Sequence, residues 1–191
     1  MSTLNEIDRS LRTSLGSIAA GASLDDALEL VSSAVVDRTF SLSCKIWLVK
    51  QDAQGQWQAK DVATIGDPSK IPLPVDISIS ANGKGLWVNT FMDGMTRYFD
   101  LSNPEAPKEV YTKKTGKQVN MVSQSWDGKR VYITSSLLAN WDKKGDDNEQ
   151  FLRAFHWDGK ELKPAFEVDF TKEKLGRAHH MKFSAKPAGK S

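Results

Sequence analysis

The sequence predicts a mainly β protein, and the first observation behind this expectation is a pattern that occurs twice, 45 residues apart. Residues 80–90 (SANGKGLWVNT) align without a gap on residues 125–135 (SWDGKRVYITS). In each copy Asn-Gly or Asp-Gly suits a two-residue hairpin turn with positive φ at both central positions, and the β-branched and aromatic residues that follow suit a half-buried strand. Hairpins that repeat every 40 to 50 residues or so are typical of four-stranded β-propeller blades, although a chance match is the alternative.

A second kind of hairpin supports a partial β-propeller. These hairpins span residues 45–62, 96–111 and 151–168. All three have polar turns, and the second and third contain Pro, which the outer strands of a blade tolerate because an edge strand need not donate every N–H. The predicted order is an outer hairpin, two full blades and a final strand that begins near His179. This makes about three four-stranded blades, too few to close a ring.

The first 40 residues differ in kind from the rest. Leu4, Ile7 and Leu11 begin an apolar pattern with helical spacing, and Ser23 is placed to cap a second helix. We therefore predict a helical N-terminal segment at residues 1–40, a propeller portion at 45–183 and a flexible tail at 184–191. The helices could dimerise the chain, cover an open sheet edge or simply pack.

Composition excludes several classes of function. The 191 residues are 39% hydrophobic and 26% charged with a net charge of +2, so no basic surface for nucleic acid is indicated. The single cysteine, Cys44, excludes an internal disulfide and a multi-cysteine metal site. No run is long and apolar enough to cross a bilayer, and no export signal is legible, so the sequence favours a cytoplasmic protein without a membrane partner.

A few polar residues stand out as candidates for a site. Asp76 lies on a strand, residues 75–80, that would be innermost in its blade, where a charged residue is either paired structurally or part of a site. Asp93 lies in the turn of residues 92–95, at the far end of the same blade. His156 precedes a turn and is interpreted as a surface residue. The tryptophans Trp126, Trp141 and Trp157 are interpreted as packing between blades.

Residues 45–183 carry motifs of a known family. These motifs are Asp127 to Thr134 with Ser136-Leu137 and Trp141-Asp142-Lys143, Arg97 with Phe99 to Pro104, Val168-Asp169-Phe170, and Ala178-His179-His180-Met181. In these motifs the chain resembles the C-terminal blades of the selenium-binding protein family, whose bacterial members are methanethiol oxidases. The blade repeats are generic, whereas Ser-Leu followed by Trp-Asp-Lys and the late Ala-His are more specific.

The resemblance implies a seven-bladed propeller that oxidises methanethiol with O₂ to formaldehyde, H₂S and H₂O₂, in sulfur metabolism, with copper held by histidines near the axis. His179 matches a family motif position, and a family histidine falls on Asp93. The metal candidates are therefore His179, Asp76 and Asp93, while the catalytic residues stay unassigned. His180 should face away from His179, because neighbouring residues of a strand point to opposite faces.

Three functions are open at this stage. The chain supplies blades to a methanethiol oxidase, with a small thiol as substrate; or it is a non-catalytic propeller remnant that acts as an interaction module; or it is an unrelated hydrolytic propeller. Its partners would be a second copy of the chain or the missing N-terminal blades. The resemblance also implies that related proteins can be located in the periplasm.

Overall fold

The computed structural model of the chain describes residues 44–136 and 149–183, and within these residues the regular secondary structure is β-strand apart from one 3₁₀ helix at Pro68–Lys70. The helices predicted at residues 1–40 and the tail predicted at 184–191 lie outside the described residues. The described part of the chain contains no helix with the length and apolar character that crossing a bilayer requires. The strands are β1 (Lys45–Gln51), β2 (Trp57–Thr64), β3 (Pro74–Ile79), β4 (Gly85–Thr90), β5 (Met95–Asp100), β6 (Lys108–Lys114), β7 (Val122–Gln124), β8 (Arg130–Thr134), β9 (Phe151–Trp157) and β10 (Leu162–Asp169).

The strands form two antiparallel four-stranded sheets and one hairpin. The sheets have the orders β3-β4-β5-β6 and β7-β8-β9-β10, and among the described strands β1 pairs with β2 alone. Each four-stranded sheet is a meander in which consecutive strands are neighbours, which is the arrangement of a propeller blade. The predicted partial propeller is therefore confirmed, as two complete blades and a two-stranded hairpin. No strand forms in residues 170–183, so the strand expected near His179 is absent there.

The chain divides into two compact units. The smaller unit comprises residues up to Ile71 together with Asn103–Pro107, and the larger unit comprises Pro72–Ser102 and the chain from Lys108 onward. Within the smaller unit, Glu105 accepts hydrogen bonds from Lys50 and Lys60, which lower the pKa of Glu105 to about 2. Both four-stranded sheets belong to the larger unit.

The repeated hairpin turns are alike in atomic detail. Gly83 N–H donates to the carbonyl of Ser80 at 2.8 Å, and Gly128 N–H donates to the carbonyl of Ser125 at 2.8 Å. Gly83 has φ 69° and Gly128 has φ 67°, but Asn82 and Asp127 do not have positive φ. The prediction of hairpins is confirmed, while the prediction of two positive φ values is wrong. Only the glycine adopts the left-handed region, because the preceding side chain instead caps the turn.

The apolar core of the larger unit joins its two sheets. Trp87 of β4 is 1% exposed and clusters with Val131 and Ile133 of β8 and Phe155 of β9. Its ring meets Trp157 edge-on, with centroids 4.8 Å apart. Offset and edge-on aromatic pairs of this kind add to the stabilisation from buried area. The sheets therefore pack through a tryptophan that the hairpin pattern had placed on a strand.

The predicted packing role of the tryptophans holds for one of the three. Trp157 contacts the rings of Trp87, Tyr98 and Tyr111. Trp126 is 50% exposed because it lies in the β7–β8 turn, where no sheet face covers it. Trp141 lies outside the described residues.

Two glycines with nearly the same backbone conformation provide a matched stability test. Gly94 has φ 67°, and a Cβ atom there would lie 2.2 Å from the carbonyl oxygen of Gly116. Gly83 has φ 69°, but nothing lies within 4 Å of the equivalent position. We expect Gly83→Ala to lower the free energy of unfolding by about 1–2 kcal/mol, from the positive φ alone. Gly94→Ala should cost roughly 2 kcal/mol more, because its methyl group collides with backbone. Urea unfolding of both variants measures the difference, and equal losses would contradict the packing at Gly94.

The Asp127 turn should make a contribution to stability that depends on pH. The hydroxyl of Ser125 and the N–H of Lys129 donate to Asp127 and lower its pKa. A folded pKa below the unfolded value stabilises the fold above the unfolded pKa, and this contribution is lost as the pH falls through the folded pKa. Asp127→Asn should therefore flatten the acid limb of the stability curve slightly. Asn82 already holds an amide at the equivalent turn, so Asn82→Asp should steepen that limb. The measurement is chemical unfolding between neutral and strongly acidic pH, and unchanged acid limbs in both variants would contradict the expectation.

Candidate functional site

The site forms where two distant motifs meet at the end of β8. The N–H of Ser136 donates to the carbonyl of Ala178 at 3.2 Å, and the hydroxyl of Thr134 donates to the carbonyl of His179 at 2.6 Å. Farther along, the ring of Phe183 packs edge-on against Tyr132 at 5.2 Å. The segment 178–183 therefore lies along β7 and β8 without forming a strand of its own.

The imidazole of His179 is oriented by a backbone carbonyl. Its Nδ1 lies 2.9 Å from the carbonyl oxygen of Ser136 and 3.2 Å from Nδ2 of Asn120. If Nδ1 carried a lone pair, it would face the carbonyl lone pairs at the shorter of these two distances. If Nδ1 carries the proton, it donates to that carbonyl, which has room for two donors. We therefore assign the Nδ1–H tautomer, which leaves the Nε2 lone pair available on an exposed residue.

Asn120 lies behind His179 and is fully buried. Its N–H donates to the carbonyl of Thr134 at 2.7 Å, its carbonyl accepts from Nδ2 of Asn89 at 2.9 Å, and its own Nδ2 donates to the carbonyl of Ser136. Oδ1 of Asn120 has no hydrogen-bond partner within the described part of the chain. An unpaired buried oxygen costs roughly 1–3 kcal/mol, so the amide is held in this orientation against a penalty.

A chain of buried hydrogen bonds continues into the neighbouring sheet. Oδ1 of Asn89 accepts from the hydroxyl of Thr96 at 2.7 Å, and the hydroxyls of Thr96 and Thr115 lie 2.8 Å apart. Asn89 and Thr96 are fully buried, and Thr115 is 5% exposed. Because Thr96 donates to Asn89, the hydroxyl of Thr115 must donate to Thr96. Each hydrogen bond in this series therefore donates in the same direction, from Thr115 through Thr96 and Asn89 to the carbonyl of Asn120.

Asp76 joins the inner strands of the two blades. Its Oδ2 accepts from the N–H of Val122 at 2.6 Å, and beside it Nε2 of Gln124 donates to the hydroxyl of Ser78 at 2.8 Å. These bonds hold β3 beside β7. Of the two roles expected for Asp76, the contacts show the structural one, and its role as a metal ligand stays a prediction.

Asp93 neutralises a buried arginine. Its Oδ2 lies 2.6 Å from Nη2 of Arg97, which is 6% exposed, and Oδ1 accepts from the N–H of Met95 at 3.1 Å and from the hydroxyl of Thr90. Glu109 lies 3.6 Å from Nε of Arg97, and partial burial raises the pKa of Glu109 more than Arg97 lowers it. Removing Asp93 would leave the buried guanidinium of Arg97 without its nearest counter-charge. The carboxylate of Asp93 is thus committed to Arg97, and its role as a metal ligand also stays a prediction.

His180 and His156 belong to other surroundings. Nε2 of His180 lies 3.2 Å from the hydroxyl of Ser123, whereas His179 contacts Ser136 and Asn120. His156 is an exposed residue of β9. Within residues 44–136 and 149–183 no three His, Cys, Asp or Glu side chains come together as metal ligands. These residues therefore fit one imidazole ligand, from His179, and further ligands would have to come from elsewhere.

Sequence reasoning missed the residues that support His179. The missed residues are Asn120, Asn89, Thr96 and Thr115. The available signal was in β4, where Asn89 and Thr90 end a strand that the structure buries at every position. Polar side chains in a run that is otherwise apolar indicate hydrogen bonds within the core.

The family is identified by comparison with known proteins. The sequence model described as 56kDa selenium binding protein (SBP56) matches residues 25–189. The chain is 69% identical over 146 residues to a methanethiol oxidase of Hyphomicrobium sp, a match that covers 76% of this chain and 34% of the relative. It is 60% identical over 147 residues to a methanethiol oxidase of Ruegeria pomeroyi, with 77% of this chain and 34% of the relative covered. The chain thus spans about a third of the length of these relatives.

A solved structure supports the same assignment. The X-ray structure of a hypothetical selenium-binding protein from Sulfolobus tokodaii matches with a TM-score of 0.60 and 28% identity, over 69% of this chain and 36% of that one. From the motifs, the fold and these matches together, the chain belongs to the selenium-binding protein family.

Proposed function

We propose that the chain contributes His179 and the surrounding blades to a methanethiol oxidase, which converts methanethiol, O₂ and water to formaldehyde, H₂S and H₂O₂. The proposal is supported by identities of 69% and 60% to proteins named methanethiol oxidase. It rests most directly on the outward Nε2 of His179, whose Nδ1 is held 2.9 Å from the carbonyl of Ser136. Because the chain spans 34% of those relatives, further blades or another chain would complete the site.

His179 has the features of a metal-ligating histidine. A neutral imidazole that donates Nδ1–H to a backbone carbonyl has a fixed tautomer and a more basic Nε2. Imidazole nitrogen suits copper, which is the metal that we propose. Bound copper would carry electrons from the thiol to dioxygen. In this chain, Ser136 orients the ring, while Thr134 fixes the backbone of His179.

A second candidate is a non-catalytic interaction module. It is favoured by the described residues, which bring a single imidazole to the site and no group of three ligands. Under this alternative the orientation of His179 would be a matter of stability alone. The next two experiments separate the candidates.

Copper binding should depend on one of the three histidines. We expect His179→Gln to raise the copper dissociation constant at least tenfold when the chain is joined to the remaining blades of a methanethiol oxidase, because Nε2 of His179 is the proposed ligand. His156→Gln is the matched control, since His156 is an exposed histidine on β9, and it should change the constant less than twofold or so. The measurement is competition against a copper chelator of known affinity. Equal affinities for the chain and its His179→Gln variant would contradict the role of His179.

Activity should survive transfer into a full-length relative. In the test, the 146 matched residues of this chain replace their counterparts in the Hyphomicrobium methanethiol oxidase. We expect the chimera to release H₂O₂ on addition of methanethiol within about tenfold of its parent, and His179→Gln in the chimera to reduce that rate about a hundredfold or more. A folded chimera that binds copper but is inert would instead support the interaction module.

A further inference from the structure

We propose that Asn120 is a positioning residue for His179: its buried amide fixes the carbonyl of Ser136 and thereby keeps the imidazole in the tautomer that presents Nε2. The inference rests on the proposed role of His179. Nothing in the sequence marks Asn120, which lies in the short segment ahead of β7.

The first step is that one carbonyl serves two donors. Nδ2 of Asn120 and Nδ1 of His179 both donate to the carbonyl oxygen of Ser136, and the two nitrogens lie 3.2 Å apart. Two N–H groups at that distance avoid repulsion only when both hydrogens point to the shared oxygen. The position of that oxygen therefore decides which nitrogen of the imidazole carries the proton.

The second step is that Asn120 has little freedom to move. Its N–H is bonded to the carbonyl of Thr134 and its carbonyl to Nδ2 of Asn89, and the residue is fully buried. A rotation of the amide by half a turn would bring Oδ1 against the carbonyl oxygen of Ser136. The observed orientation avoids that repulsion even though it leaves Oδ1 without a partner in the described chain.

The third step is the expected effect of removing the amide. Without Nδ2, the carbonyl of Ser136 loses one of its two donors, and the side chain that lies against Nδ1 disappears. The ring of His179 could then rotate about its Cβ–Cγ bond, which moves Nδ1 away from the carbonyl of Ser136 and removes the contact that favours the proton on Nδ1. The imidazole would then populate both tautomers, and Nε2 would carry a lone pair only part of the time.

The test is the tautomer of His179 in the metal-free 191-residue chain. Two-bond ¹H–¹⁵N correlation spectra at alkaline pH, where an imidazole is neutral, distinguish Nδ1–H from Nε2–H. The chain has three histidines, so the His179→Gln variant assigns the signal. We expect a single Nδ1–H form in the wild type and a mixture in Asn120→Ala. Asn120→Ser, which retains a small polar group, provides a second variant in case Asn120→Ala does not fold.

The matched control is Tyr111→Phe, which removes a hydroxyl that accepts from the N–H of Leu162, far from His179 in the sheet order. It should leave the tautomer of His179 unchanged, so a change there would indicate general loosening and overturn the proposal. A folded Asn120 variant that keeps the pure Nδ1–H form would overturn it as well.

A copper titration separates this inference from the proposed function. We expect the Asn120 variants to raise the copper dissociation constant about 10–100-fold, as for other residues that orient a metal ligand. A changed tautomer, together with a chimera that binds no copper, would support the positioning role and refute the proposed function. An unchanged tautomer with normal copper binding would refute the positioning role and leave the proposed function supported.

Discussion

The arrangement of the larger unit depends on the hydrogen bond from Asn89 to the carbonyl of Asn120, which joins one four-stranded sheet to the segment that begins the next. Both residues are fully buried, so water cannot replace the bond if it breaks. An unpaired amide in the core is costly, whereas a satisfied one specifies a single arrangement. The apolar contacts of Trp87 bring the sheets together, and this bond fixes how they lie, together with the bonds that Asp76 and Gln124 make between β3 and β7.

The same constraint explains why polar groups cluster around His179. Thr96 and Thr115 satisfy Asn89 from one side, while Asn120 and Ser136 receive His179 on the other. The segments that carry Ser136 and His179 are far apart in sequence but are joined at the end of β8 by three hydrogen bonds, one between backbone groups and two from side chains to backbone carbonyls. A ring held in this way keeps its orientation without depending on a ligand. This preorganisation is what a metal site requires of its first ligand.

The two aspartates show how a charge near a blade end can be used for structure. Asp76 accepts a backbone N–H across the two inner strands, and Asp93 neutralises Arg97 in a partly buried ion pair. Arg97, rather than either aspartate, is the most buried charge of this cluster. The resemblance drew attention to Asp93 as a residue in place of a histidine, and the contacts give its carboxylate a partner within its own turn.

Much of the fold could be predicted because its signals are local. The hairpin at residues 80–90 and its copy at 125–135 depend on neighbours in sequence, so both were placed correctly, although the turn conformation was not. The exposed position of Trp126 and the absence of a strand at His179 were missed, because each depends on which surface is available to cover the segment. Asn120 was missed because its role comes from residues 89, 136 and 179, which no spacing rule brings together.

The sequence by itself determined the strands, the repeat of the blades and the family motif that contains His179, since alternation, turn residues and short motifs act over a few positions. Only the tertiary structure decided that Ser136 meets His179, that Asn120 holds both, and that Asp93 belongs to Arg97. The physical reason is that these hydrogen bonds lie where two sheets together exclude water. The two sheets come from parts of the chain that are tens of residues apart, so no local pattern in the sequence shows which groups will meet.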